Sequence, residues 1–175
     1  MPDTTFTASY VLTDAILETY LANDPRTEAV AMVALSAAVQ GWYCQRATKA
    51  IDALPLSGHK LLETQSLQFP RKYVSQGLPS PYFGSLILID QLGYVYESAD
   101  VPQVVINACG EEALGIYRRI NSQRLQNIQE GVANQSISGA SETYAPNAKN
   151  QYEGLMSKDA YDMLLKYIDP SAPML

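Results

Sequence analysis

Apolar residues recur along this chain mostly in helical rhythm. Ile16, Leu17, Tyr20 and Leu21 fall on one stripe of a predicted first helix, with Thr13 placed to cap it and Asp14 to complement its N-terminal dipole. Asn23-Asp24-Pro25 ends that helix and opens another, with Asp24 as N-cap and Pro25 in the first helical position. The spacing predicts one long second helix from Pro25 to about Leu54, with Val39, Tyr43, Ala47, Ala50 and Leu54 close to one face. Ala29, Ala31, Ala34, Ala37 and Ala38 favour the helix and permit close approach of a neighbour, and Gly41 is the position where a kink is expected.

Residues 55–100 read as irregular structure with β pieces, because Pro55, Gly58, Pro70, Gly77, Pro79, Pro81 and Gly84 break any helix. Within them, residues 85–90 and Tyr94-Val95-Tyr96 flank Gln91-Leu92-Gly93, a hairpin signal. Phe69-Pro70-Arg71 reads as a structural corner: Phe69 packs on the bundle, and Arg71 faces a carbonyl cluster, a carboxylate or a neighbouring subunit. Asp100-Val101-Pro102 opens a third helix over about 102–125, with Val105, Cys109, Ala113, Ile116, Tyr117 and Ile120 at helical spacing. From 126 to 154 the chain turns polar and small, an arm in which residues 137–141 read as an extended arm, an edge strand or part of a mobile loop, which composition alone does not separate. A last helix over about 157–168 starts at Ser157 as cap, and Ala160, Tyr161, Leu164, Leu165 and Ile168 make its stripe.

The expected fold class is therefore mainly α: a small helical bundle with a β-hairpin and an extended arm, in a single domain over 1–175 without repeat or linker. Val39, Tyr43, Ala47, Ile51, Val105, Cys109, Ile116 and Ile120 are expected to share the core.

Composition narrows the function more than it defines it. The 175 residues are 47% hydrophobic, which suits a globular chain, and no stretch approaches a membrane span of about 20 apolar residues. The N-terminus has no basic segment followed by an apolar one, so the protein is expected to stay in a cytosol. A net charge of −6 disfavours phosphate neutralisation and suits a surface that DNA passes without sticking. Cys44 and Cys109 lack the spacing of a metal knuckle and read as small buried hydrophobes. His59, the sole histidine, lies in a turn-like stretch and reads as a solvated loop residue, which leaves no His-based relay. Glu111 and Glu112 are adjacent acids, but consecutive helical residues point about 100° apart, so a solvated face or an intersubunit salt bridge is expected of them. There is no phosphate loop, nucleophile elbow or zinc spacing. No catalytic residue, cofactor or metal is expected. The 12 tyrosines against 3 phenylalanines point to amphipathic interface anchors before base stacking.

Several short motifs occur in a telling order. Ser9-Tyr10-Val11 with Asp14-Ala15 and Tyr20-Leu21-Ala22 comes first. Residues 45–52, with Ala47-Thr48 and Ile51-Asp52, follow; then come Gly58, Lys60 and residues 65–71, which include Gln65, Leu67 and Phe69-Pro70-Arg71. Val101-Pro102 through Ala108, with Glu112-Ala113, is next, and Leu155-Met156-Ser157-Lys158-Asp159-Ala160 with Leu164-Leu165 closes the series. This order resembles a family of small phage and prophage proteins often labelled putative DnaT-like single-stranded-DNA-binding proteins, which also look like the head–tail connector adaptors of tailed phages. The resemblance spans nearly the whole chain. The second helix is longer at its N-terminal end than the family pattern, and the segment from Val74 to Ser98 is expanded.

The resemblance implies a structural neck protein of a virion, assembled in the host cytoplasm, and no enzyme. It implies a homo-oligomeric, dodecameric ring that docks under the portal protein and receives a downstream neck or tail-terminator protein. Genomic double-stranded DNA would pass through the lumen without specific binding, and no membrane is involved. Phe69, Pro70, Arg71, Ile137, Tyr144 and Tyr161 are the structural or interface candidates. The alternative is a single-stranded-DNA-binding module, which would need a basic groove with aromatics.

Overall fold

Two of the described helices start on a capping hydroxyl. Thr13 is extended and its Oγ1 accepts the Ile16 N–H at 3.3 Å, which starts α1 (Asp14–Leu21). Ser157 does the same for Ala160 at 3.3 Å and starts α5 (Lys158–Leu164), followed by a 3₁₀ turn over Leu165–Tyr167. These contacts come from a computed structural model that describes residues 5–74, 88–89, 94–96, 100–122, 134–137, 140–143 and 154–169.

The predicted long second helix is two helices, α2 (Thr27–Val33) and α3 (Ala37–Asp52). Asp24 does not cap from Pro25. It bonds the backbone N–H of Arg26, itself the extended N-cap residue, at 2.9 Å. The break falls at 34–36 and not at Gly41. There Ser36 is extended, and the buried Gln40 amide donates to the carbonyls of Met32, Val33 and Leu35, closing the end of α2. Gly41 lies inside regular α3, where a Cβ would stand 2.8 Å from the Phe6 ring, so its missing side chain makes room for Phe6. Val39, about 100° round the first turn of α3 from the buried Gln40, is 41% exposed, against its expected place in the core.

α4 (Gln103–Asn121) starts after Pro102, and α1, α2, α3 and α5 all pack on it. Tyr43, Ala47, Ile51, Val105, Cys109 and Ile116 are buried as their periodicity predicts. Ile120 is 41% exposed, one residue before the helix ends and beyond the part that the other helices cover. Residues 123–125, the predicted end of this helix, lie outside the described residues.

Four short strands, β1 (His59–Lys60), β2 (Arg71–Val74), β3 (Leu88–Ile89) and β4 (Tyr94–Tyr96), form an antiparallel sheet in the order β1-β2-β4-β3. Its β3–β4 pair is the predicted hairpin, with Leu88 opposite Tyr96, while the expected turn residues 91–93 lie outside the described residues. In the polar arm, β5 (Asn134–Ile137) pairs with β6 (Ala140–Thr143), so this part is an antiparallel hairpin with Ile137 opposite Ala140. The described chain is thus mainly helical with small antiparallel β elements.

Candidate functional site: the buried carboxylate pair on α4

Acidic side chains are most often solvated, and a buried one must be hydrogen-bonded or neutral. Glu111 and Glu112 are only 3% and 0% exposed. This corrects their expected place on a solvated face or in an intersubunit bridge. They point to opposite tasks because consecutive helical positions diverge.

Glu111 holds the α1–α2 elbow. Arg26 reaches its two oxygens at 2.5 and 2.8 Å and also pairs with Asp24. The Tyr20 hydroxyl donates to Oε2 at 3.2 Å, and the Ser157 hydroxyl lies 3.5 Å from Oε1. Burial, then the Glu111 charge, push the Tyr20 phenol up to about 12. Hydrogen bonds from Arg26 hold the Asp24 carboxyl below the usual carboxylate range. Tyr20 can lie this close to α4 because position 110 is glycine; a Cβ there would stand 2.9 Å from the Tyr20 ring.

Glu112 holds the start of α5. Its carboxylate accepts the backbone N–H groups of Met156 and Ser157 at 2.9 Å. The Ser157 N–H is a donor that the start of a helix leaves without an intrahelical partner, and Met156 immediately precedes it. Gly115, one turn on, lets that chain approach, since a Cβ there would meet the Ser157 backbone nitrogen at 3.2 Å. Burial raises the Glu112 carboxyl to about 7, and the two N–H donors and Arg119 only partly offset this.

The pair therefore acts as a double clasp. An open hollow of about 480 Å³ lies beside it, lined by Tyr20, Asn23, Asp24, Pro25, Arg26 and Asp159. Its cation, Arg26, is engaged with Asp24 and Glu111, and the Tyr20 and Ser157 hydroxyls face Glu111 as partners of that buried carboxylate. No group of three or more potential metal ligands occurs among the described residues. Cys44 and Cys109 are free and buried, and burial pushes both thiols up, Cys109 to about 11. His59 is exposed on β1.

The predicted corner forms a second tie. Phe69 is 2% exposed and meets Tyr10 and Tyr167 edge-on, with ring centroids 5.8 and 4.9 Å away. Its peptide bond to Pro70 is cis. Arg71 is buried and faces a carbonyl cluster, donating to Ser57, Leu56 and Gly58 oxygens at 2.7, 3.1 and 2.6 Å and to the Gln68 side chain at 2.9 Å. The Tyr10 hydroxyl bonds Asp52 and accepts the Gln68 and Phe69 N–H groups at 3.1 and 3.2 Å. Burial raises the Asp52 carboxyl despite these partners, and it raises the Tyr10 phenol as well.

Of the six named candidates, Phe69, Pro70 and Arg71 come together at this corner, whereas Tyr161 is half-buried against the core on α5. Ile137 lies on β5, and Tyr144 lies outside the described residues. The sequence reading missed Tyr20, Arg26 and both glutamates as a cluster. One signal was present: Glu112 shares the stripe of Cys109 and Ile116, where an acid must find partners. No helix among the described residues is long and apolar enough to cross a membrane. Comparison with protein-family models, with curated proteins and with solved structures finds no match to this chain.

Proposed function

We propose that the protein is a structural head–tail adaptor of a tailed bacteriophage, a ring subunit below the portal that extends the DNA channel and presents a docking platform to the next neck or tail protein. One observation carries the reading. The motifs whose order resembles the adaptor family are also the segments that tie this chain together at long range. The Tyr10 backbone donates to Thr48 at 3.1 Å, and its hydroxyl joins Asp52 to the Gln68–Phe69 backbone. Gln65 bonds the carbonyls of Leu67 and Pro70 at 3.0 and 2.9 Å beside Arg71. Glu112 grips Met156 and Ser157. Motif residues devoted to holding shape suit a scaffold subunit, which needs rigid geometry and reaching extensions, and do not suit a catalyst, which needs free polar groups converging on a substrate.

Two measurements test it. Mass spectrometry of purified virions should find the chain in the particle, and imaging of the protein mixed with its phage's portal should show a ring of the portal's symmetry beneath it. A chain absent from virions and unable to bind the portal would overturn the reading. The single-stranded-DNA alternative requires oligonucleotide binding that falls steeply with salt, and such binding at physiological salt would replace the adaptor role.

A further inference from the structure

Two outward helix stripes are left uncovered in the single chain, and they match one another. On α3, Val39, Trp42, Arg46 and Lys49 are exposed at spacings of three, four and three, so they form one line. Val39 and Trp42 are 41% and 44% exposed, large for apolar residues on a helix whose other face is core. The Arg46 guanidinium lies 4.9 Å from the Trp42 ring and extends its polar edge. On α5 and the turn after it, Asp159, Asp162 and Leu165 are exposed at spacings of three and three, with Leu165 51% exposed. One stripe runs apolar to basic; the other runs acidic to apolar.

We propose that in the ring the α3 stripe of one copy docks antiparallel on the α5 stripe of the next. This rests on the ring reading above. Laid antiparallel, Asp159 stands opposite Lys49, Asp162 opposite Arg46 and Leu165 opposite Trp42. The lengths agree: about 9 Å of helix from 159 to 165 and about 10 Å from 49 to 42, at roughly 1.5 Å per residue. The stripes sit on different helices that each pack their inner face on α4, and both stay exposed in the same chain, so they do not cover each other. Made once between neighbours, a contact between two different faces of identical chains is head-to-tail, which is the kind that closes into rings.

The electrostatics favour this occupant. Copies carrying −6 each repel overall, so association depends on a local match of sign. Asp162 already pairs with Lys158 one turn back, but an exposed pair of this kind is weak, and a guanidinium can take the second carboxylate oxygen. A nucleic-acid strand is the poorer fit, because Arg46 covers one face of the only exposed indole and the stripe offers just two cations. The two stripes supply the specific centre of the interface; the full area of a stable one is about 800 Å² per partner.

The test uses the purified full chain, with association followed by sedimentation velocity over a wide concentration range at low and high salt. R46E/K49E and D159K/D162K should each weaken self-association at least about tenfold. Each should keep the parental helical circular dichroism, since all four positions are exposed. Mixing the two variants, or combining all four changes in one chain, should restore association, because every contact regains opposite signs. A parent that stays monomeric at millimolar concentration, or charge reversals without effect, would overturn the docking. So would loss of oligonucleotide binding in R46E/K49E with self-association intact, which would assign the stripe to nucleic acid. Virion content and portal binding are read separately, so failure of the neck role and failure of this contact are told apart.

Discussion

The Phe69–Arg71 corner and the Glu111–Glu112 clasp solve one problem with opposite charges. Each buries an ionic side chain to gather backbone groups that secondary structure leaves over. Arg71 collects carbonyls of residues 56–58, where the chain leaves α3. Glu112 collects the N–H groups that start α5. The difference lies in titration. A guanidinium stays charged throughout the working range, so the Arg71 tie is indifferent to pH, and the titrating group of that corner is the raised Asp52 carboxyl. A carboxyl raised to about 7 changes its charge near neutrality, so the clasp on the C-terminal helix is the tie that pH can tune. The lesson is that partners, and not position alone, make a buried charge tolerable.

The strongest way to break this comparison is to bury a charge without partners. Ile116→Asp lies one turn beyond Glu112 on the same helix, at a site 8% exposed. It should cost more than about 4 kcal/mol and leave little folded protein in chemical denaturation at neutral pH. Near-parental stability there would mean that α4 accepts carboxylates generally and that the clasp geometry is incidental.

Next in size is Arg71→Met, which keeps an unbranched stem but removes the donors to three carbonyls. A loss of roughly 3 kcal/mol is expected, nearly the same at pH 5 and pH 8, measured by urea unfolding. A loss that varied strongly across that range would show that Arg71 acts mainly through the charge of the nearby Asp52 carboxyl.

Glu112→Gln sharpens the contrast. The folded carboxyl titrates near 7 against an ordinary 4.5, so the folded state binds this proton more tightly than the unfolded chain does. Its stabilising contribution is therefore fully present below about 4.5, declines as pH rises to about 7, and stays flat above. The span is at most about 3 kcal/mol. Asp24, whose carboxyl is depressed, works in the other direction and loses its contribution as pH falls. Subtracting the variant's curve from the parent's isolates Glu112: the parent should gain relative to Glu112→Gln as pH falls from 7.5 to 4.5. A flat difference curve would show that burial does not raise this group.

The smallest effect belongs to the surface. Trp42→Ala removes an exposed indole that meets the Arg46 guanidinium and, edge-on at 4.8 Å between centroids, the Tyr43 ring, so thermal unfolding of the monomer should change by about 1 kcal/mol or less. A large loss would place Trp42 in the core and remove it from the proposed contact.

The helix list, the caps at Thr13 and Ser157, the apolar faces of α3 and α4 and the packing role of Phe69 were legible along the chain, because each depends on residues within a few positions of one another. The interruption at 34–36 was not, since it is held by Gln40 turning back on carbonyls of the preceding helix, and no propensity encodes that bond.

By itself, then, the sequence determined a mainly helical chain, because periodicity is a local quantity. Only the tertiary structure decided where its charges went. Glu111 and Glu112 look like any exposed acidic pair until α1, α2 and α5 close over α4, and Arg71 finds its carbonyls only once residues 56–58 return beside β2. A buried charge is set by partners that lie up to 91 positions away in the chain, and such partners exist only after the helices have packed.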